Sequence, residues 1–171
     1  MNADCQFGST TGEGRLKTTH GQYVDLSNPL TCSGSIVAWH YCFYTDNTIL
    51  ANTAYTAYFR VYRSEGGDKL QRIHEVQTSL ALSPQDGGNA SFICMDDVLE
   101  QEQYLNVSQG DYLAAYIPTL FPPLFIVGTN TPGSLYRDNR IFLSFSSQQV
   151  FMSNLVQVEN TSLHLFADVG K

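Results

Sequence analysis

Thr53-Ala-Tyr-Thr-Ala-Tyr-Phe-Arg-Val-Tyr-Arg63 is the stretch whose pattern decides the fold class. Tyr55, Ala57, Phe59 and Val61 share one parity, and Thr56, Tyr58, Arg60 and Tyr62 share the other. A period of two is expected of a strand with one face on a core. Glu65-Gly-Gly-Asp68 follows, and successive glycines supply the positive φ that a tight hairpin turn needs. Leu70 to Leu82 is then the returning strand. Leu70, His74, Val76, Thr78, Leu80 and Leu82 fall on one parity, with Ile73 out of step. A hairpin of this length has to bury its apolar face against a second layer.

Working outward, Ser35-Ile-Val-Ala-Trp-His-Tyr-Cys-Phe-Tyr44 is apolar on both parities, as expected of a strand in a sandwich core. Gln22 to Leu26 reads as a short strand, and the Gly/Thr-rich residues 1–19 read as an irregular segment ahead of one domain over residues 20–171. Further strands are predicted over Ser91–Met95, Tyr112–Pro118, Leu124–Val127, Ser134–Tyr136, Ile141–Phe145, Gln149–Met152 and Leu163–Val169. Pro84-Gln-Asp-Gly-Gly-Asn89 is a turn, and Asp96 to Tyr104 suits a single helical turn. The expected class is all-β, a two-sheet antiparallel β-sandwich. About ten strands exceed the seven to nine of an immunoglobulin domain, and the Cys, Trp, Cys spacing of that domain is not matched, because Trp39 precedes Cys42 on its own strand. A jelly-roll topology is therefore preferred.

The 171 residues suit one domain, with 15% charged residues and a net charge of −7. Nine Lys plus Arg are scattered singly, so a nucleic-acid partner has no electrostatic footing, and anionic membrane surfaces are disfavoured. Membrane insertion is not expected either. The longest apolar run, Phe121 to Val127, contains two prolines and falls far short of the ~20 residues of a span. Met1-Asn-Ala-Asp-Cys5 lacks the apolar core of a signal peptide, so secretion is expected to rely on a leader outside this sequence.

Cys5, Cys32, Cys42 and Cys94 allow three pairings. Cys32 and Cys42 on one extended strand would lie about 33 Å apart, beyond the reach of a disulfide. Cys42 and Cys94, both in strand-like segments, are expected to pair across the fold, and Cys5 with Cys32 to staple the amino-terminal tail. The alternative is four reduced thiols in a cytosolic chain. Asn89-Ala-Ser91, Asn106-Val-Ser108 and Asn160-Thr-Ser162 are N-glycosylation sequons placed at inferred turns.

No catalytic residue is assigned. The G-x-S-x-G elbow is absent, His40 sits in an apolar strand where a hydrogen-bonded structural role is expected, and His164 alternates with leucines to face solvent. No metal ligands and no cofactor are assigned, because the four histidines lack zinc spacing. Asp96-Asp97 with Glu100 and Glu102 gives calcium a weak opening, without the EF-hand pattern. The stronger lead is a pair of aromatic loops. Thr119-Leu-Phe-Pro-Pro-Leu-Phe125 carries Phe121, and the stretch 131–140 carries Tyr136, Arg137 and Arg140. Tyrosine and arginine are enriched at contact hot spots, and prolines reduce the entropy lost on docking.

Gly34-Ser-Ile-Val-Ala-Trp-His-Tyr-Cys-Phe-Tyr44, Phe59-Arg-Val-Tyr-Arg63, Phe92-Ile-Cys94 and Val107-Ser-Gln-Gly-Asp-Tyr-Leu113 form an ordered series. It resembles β-sandwich ectodomain modules of large cell-surface proteins in sponges and other marine invertebrates, over roughly residues 32–118. The Gly110-Asp111 turn is distantly similar to tumour-necrosis-factor-type and complement-type jelly rolls. The first resemblance implies an extracellular setting with Cys42–Cys94 in its framework. The expected function is a non-enzymatic extracellular recognition or adhesion module whose loops at one sandwich end bind protein or glycan. A homotrimeric jelly-roll ligand, with Tyr112 and Tyr116 between subunits, is the alternative, followed by an enzyme on the same scaffold.

Overall fold

A computed structural model describes residues 5–9, 16–17, 21–45, 54–81, 91–118, 125–126, 135–138, 148–158 and 165–171. Its strands are β1 Cys5–Ser9, β2 Leu16–Lys17, β3 Gly21–Asp25, β4 Gly34–Thr45, β5 Ala54–Ser64, β6 Lys69–Ala81 and β7 Ser91–Val98. They continue with β8 Leu105–Val107, β9 Tyr112–Ile117, β10 Phe125–Ile126, β11 Leu135–Asp138, β12 Gln149–Phe151, β13 Leu155–Gln157 and β14 Leu165–Gly170. Among the described residues there is no α-helix. The chain is all-β, as its periodicities predict.

Two antiparallel sheets form. In the first, β4 pairs with β14 and β10 along one side and with β7 and β8 along the other, and β1 lies outside β14. The second runs β12-β6-β5-β9-β3-β11-β13. Four pairings carry the topology: β1 with β14, β3 with β9, β4 with β7 and β5 with β6. These are the nested rungs of one long hairpin, with β1, β3, β4 and β5 going out and β6, β7, β9 and β14 coming back. Alternate rungs fall in opposite sheets. A hairpin rolled up in this way is a jelly roll.

The interior between the sheets is built by the parities that the sequence shows. Ala57, Phe59 and Val61 of β5 meet Ile36, Trp39 and Tyr41 of β4, with Leu113, Ala115, Leu165, Ala167 and Val169 around them. Phe59 lies 4.8 Å from Tyr41 and 5.6 Å from Trp39, ring to ring, both tilted. Ile73 is the extra residue of a bulge: Val61 pairs with His74 and Tyr62 with Arg72, leaving Ile73 without a register partner. The bulge turns β6 over, so Leu70 faces outward while Thr78, of equal parity, faces inward.

A second, smaller core lies on the outer face of the second sheet, where Val24, Tyr62, Leu70, Ala114 and Val150 are buried. Its cover is residues 149–157, which pair with β6 at one edge as β12 and with β11 at the other as β13. A segment this short can reach both edges only if the sheet curls almost closed beneath it. Asp68 at the hairpin tip holds the cover down, because its carboxylate accepts from the backbone N–H and the hydroxyl of Ser153.

Several sequence expectations need correction. Residues 1–19 are not wholly irregular, because β1 pairs with β14 over five residues and brings Cys5 against the core. Gly8 allows the approach: its φ is +103°, and a Cβ there would stand 2.3 Å from the Leu165 carbonyl oxygen. Asp96 to Tyr104 does not begin as a helical turn, since β7 continues to Val98 and only Gln101–Gln103 form a 3-10 turn. The predicted strand over residues 141–145, and His164, lie outside the described residues.

Candidate functional site

The outer face of the first sheet presents exposed side chains along one of its strands, and no described segment is paired over it as residues 149–157 are over the second. Along β7 the outward residues Cys94, Asp96 and Val98 are all exposed, Val98 to 79%. They stand directly opposite Cys42, His40 and Ala38 of β4. On the other side of β4, Phe166 of β14 stands opposite His40, and Asp168 lies two residues on. Cross-strand adjacency thus assembles a polar and sulfur-bearing ladder three strands wide.

His40 is its centre. Nδ1 lies 2.5 Å from an Asp96 oxygen and Nε2 lies 2.9 Å from an Asp168 oxygen, and Phe166 stacks on the ring at 4.4 Å. Carboxylates accept and do not donate, so both contacts are hydrogen bonds only when both ring nitrogens carry protons. Burial pulls the imidazole pKa down, but the hydrogen bonds and charges of the two aspartates outweigh it and leave the pKa above its ordinary value. With both nitrogens occupied, His40 has no free edge to serve as a general base toward a substrate. It works as a strap across β7, β4 and β14, in keeping with the hydrogen-bonded role expected for it.

Asp96 and Asp97 point to opposite faces. Asp97 turns inward, where the Tyr41 hydroxyl donates to it at 3.2 Å and Thr78 lies beside both. Burial and the neighbouring Asp97 push the Tyr41 phenol pKa up. Glu100 and Glu102 remain exposed, so the acidic run does not converge into one oxygen cage. Among the described residues no group of three or more His, Cys, Asp or Glu side chains is placed to hold a metal ion.

Both expected disulfides are present: Cys5–Cys32, and Cys42–Cys94 with a Cα separation of 4.1 Å. The second does not run across the fold between sheets. It joins directly opposed residues of neighbouring strands in one sheet. Of the sequons, Asn106 is exposed on β8 and accepts a hydrogen bond from the Ser35 hydroxyl at 2.9 Å. Asn89 and Asn160 lie outside the described residues, as do Phe121 and Arg140. Tyr136 and Arg137 are half-buried within β11, paired on both sides by β3 and β13, rather than displayed on a loop.

Two further clusters were illegible in the sequence. Arg63 grips Asp111 with two hydrogen bonds of 2.8 Å, and Asp111 in turn accepts the Ser108 N–H at 2.7 Å. The Val107-Ser-Gln-Gly-Asp111 motif is therefore a turn lock, with Gly110 at φ +92°. On the outer face of the second sheet, Arg60 is sealed between the Tyr116 ring at 4.3 Å and Glu75 at 2.7 Å. Its guanidinium also donates to Gln22, whose oxygen takes the Tyr62 hydroxyl. Tyr116 is 5% exposed in the single chain, so it has little surface to offer a subunit interface. No protein-family model and no curated protein sequence matches the chain.

Proposed function

We propose that the chain is a non-enzymatic extracellular recognition or adhesion module. The observation that carries this reading is the occupation of both His40 nitrogens by aspartates. Among the described residues, the His40, Asp96 and Asp168 cluster spends its polar edges on contacts between strands, which supports the non-enzymatic part of the reading. Two disulfides on a weakly charged jelly roll support an oxidising compartment, and the resemblance to ectodomain modules points the same way. Ligand contact is assigned to Phe121 and Arg140, on the sequence pattern alone, with protein or glycan as the ligand class. The test is expression through the secretory route, followed by a glycan array and a pull-down from native tissue. Binding to one class that is lost in a Phe121→Ala, Arg140→Ala variant supports the reading. Blank results on both platforms, or binding that survives the double substitution, overturn it.

A further inference from the structure

We propose that Cys42–Cys94 is a thiol–disulfide exchange site, opened by a dithiol reductant while Cys5–Cys32 stays closed and the fold stays intact. Three observations carry this. Cys94 is exposed on the outer face of β7, which pairs only with β4 among the described strands. Cys42 is itself buried, so Cys94 is the one sulfur of this pair open to attack, whereas Cys5 and Cys32 are both half-buried and packed against the main core. Finally, Cys42 and Cys94 stand directly opposite within a ladder of register pairs running from Ala38 with Val98 to Thr45 with Ser91.

Exchange requires a thiolate to approach a sulfur along the S–S axis, on the side away from the leaving sulfur. For a bridge laid from β4 to β7, attack on the Cys94 sulfur comes from beyond the β7 edge, where that side chain is open to solvent. The external thiolate bonds to Cys94 and the Cys42 sulfur leaves with the electron pair, taking a proton from water. The second thiol of the reductant then displaces Cys94, so the dithiol is oxidised to a disulfide and both cysteines end as thiols. Backbone pairing of β4 with β7 does not depend on the bridge, and it keeps the two thiols face to face for reoxidation. His40 strengthens the same seam through Asp96, one register pair of the same face away.

The test uses the native disulfide-bonded chain, treated with graded dithiothreitol, trapped with an alkylating reagent and mapped by peptide mass. The expected result is at least tenfold faster labelling of Cys42 and Cys94 than of Cys5 and Cys32, with Trp39 fluorescence unchanged. Earlier or simultaneous labelling of Cys5 and Cys32, labelling only when fluorescence reports unfolding, or no labelling of any cysteine short of denaturant each overturn it. A Cys42→Ser, Cys94→Ser variant separates access from stability. It should fold with the same fluorescence and resist labelling at its remaining bridge.

Discussion

At the scale of single residues, His40 makes stability depend on pH in a defined direction. Its folded pKa is raised, so the protonated strap contributes fully below the unfolded value of about 6.5. The contribution is lost as pH rises through the higher folded value. The urea midpoint is therefore expected to fall as pH rises above about 6.5, and His40→Gln should flatten that slope. An unchanged slope in the variant would show that another group drives it. High salt should weaken the effect, since Asp96 is 70% exposed. The Arg63–Asp111 lock predicts an asymmetry instead. Asp111 is 1% exposed and the Arg63 side chain 43%, so removing the arginine strands a buried carboxylate, whereas the arginine can turn to water. Arg63→Ala should cost about 3–5 kcal/mol, and Asp111→Asn about 1–3 kcal/mol, read from urea midpoints. The reverse order would contradict the lock.

At the scale of elements, legibility followed length and alternation. β5 and β6 were plain because eleven and thirteen residues carry a period of two around a Gly-Gly turn. Ile73, the one misfit, marked a real bulge rather than noise. β1, with Gly8 inside it, was not legible, because its extended state comes from pairing with β14 rather than from its own residues. The three-residue strands β8 and β13 were equally silent. The strap could not be foreseen either: 128 positions separate His40 from Asp168, and only the rolled topology makes them neighbours. Two element-level outcomes follow. Deleting Ile73 leaves His74 opposite Val61 and Arg72 opposite Tyr62 with no residue over, so Leu70 keeps its outward place and only the packing of Ile73 on the main core is lost. Cooperative unfolding with stability lowered by about 0.5–3 kcal/mol is expected, and loss of cooperativity with binding of a hydrophobic dye would refute Ile73 as a residue outside the register. Gly8→Ala pushes a methyl into the Leu165 carbonyl, so amide exchange along β1 and β14 should quicken while β5 and β6 remain protected.

At the scale of the whole molecule, the two bridges bear unequal loads. Cys5–Cys32 closes a separation of 27 residues and Cys42–Cys94 one of 52. Chain-entropy reasoning then assigns about 3.5 and 4 kcal/mol respectively to the constraint on the unfolded state. Domains hold about 5–15 kcal/mol in all, so loss of one bridge leaves a folded molecule and loss of both brings it near the threshold. The supports that remain also differ. β4 keeps partners on both sides without its bridge, whereas β1 has β14 as its one described strand partner and lies at the edge of the sheet. A chain made in a reducing cytosol is expected to accumulate as aggregate, and the same chain made in an oxidising lumen to stay in solution. Unfolding each double-serine variant in urea separates the contributions. Either variant alone should lose about 2–4 kcal/mol and still unfold cooperatively, the Cys5, Cys32 variant showing faster exchange confined to β1 and β14. Equal midpoints for the fully oxidised and fully reduced chains would remove the link between the cysteines and an extracellular life.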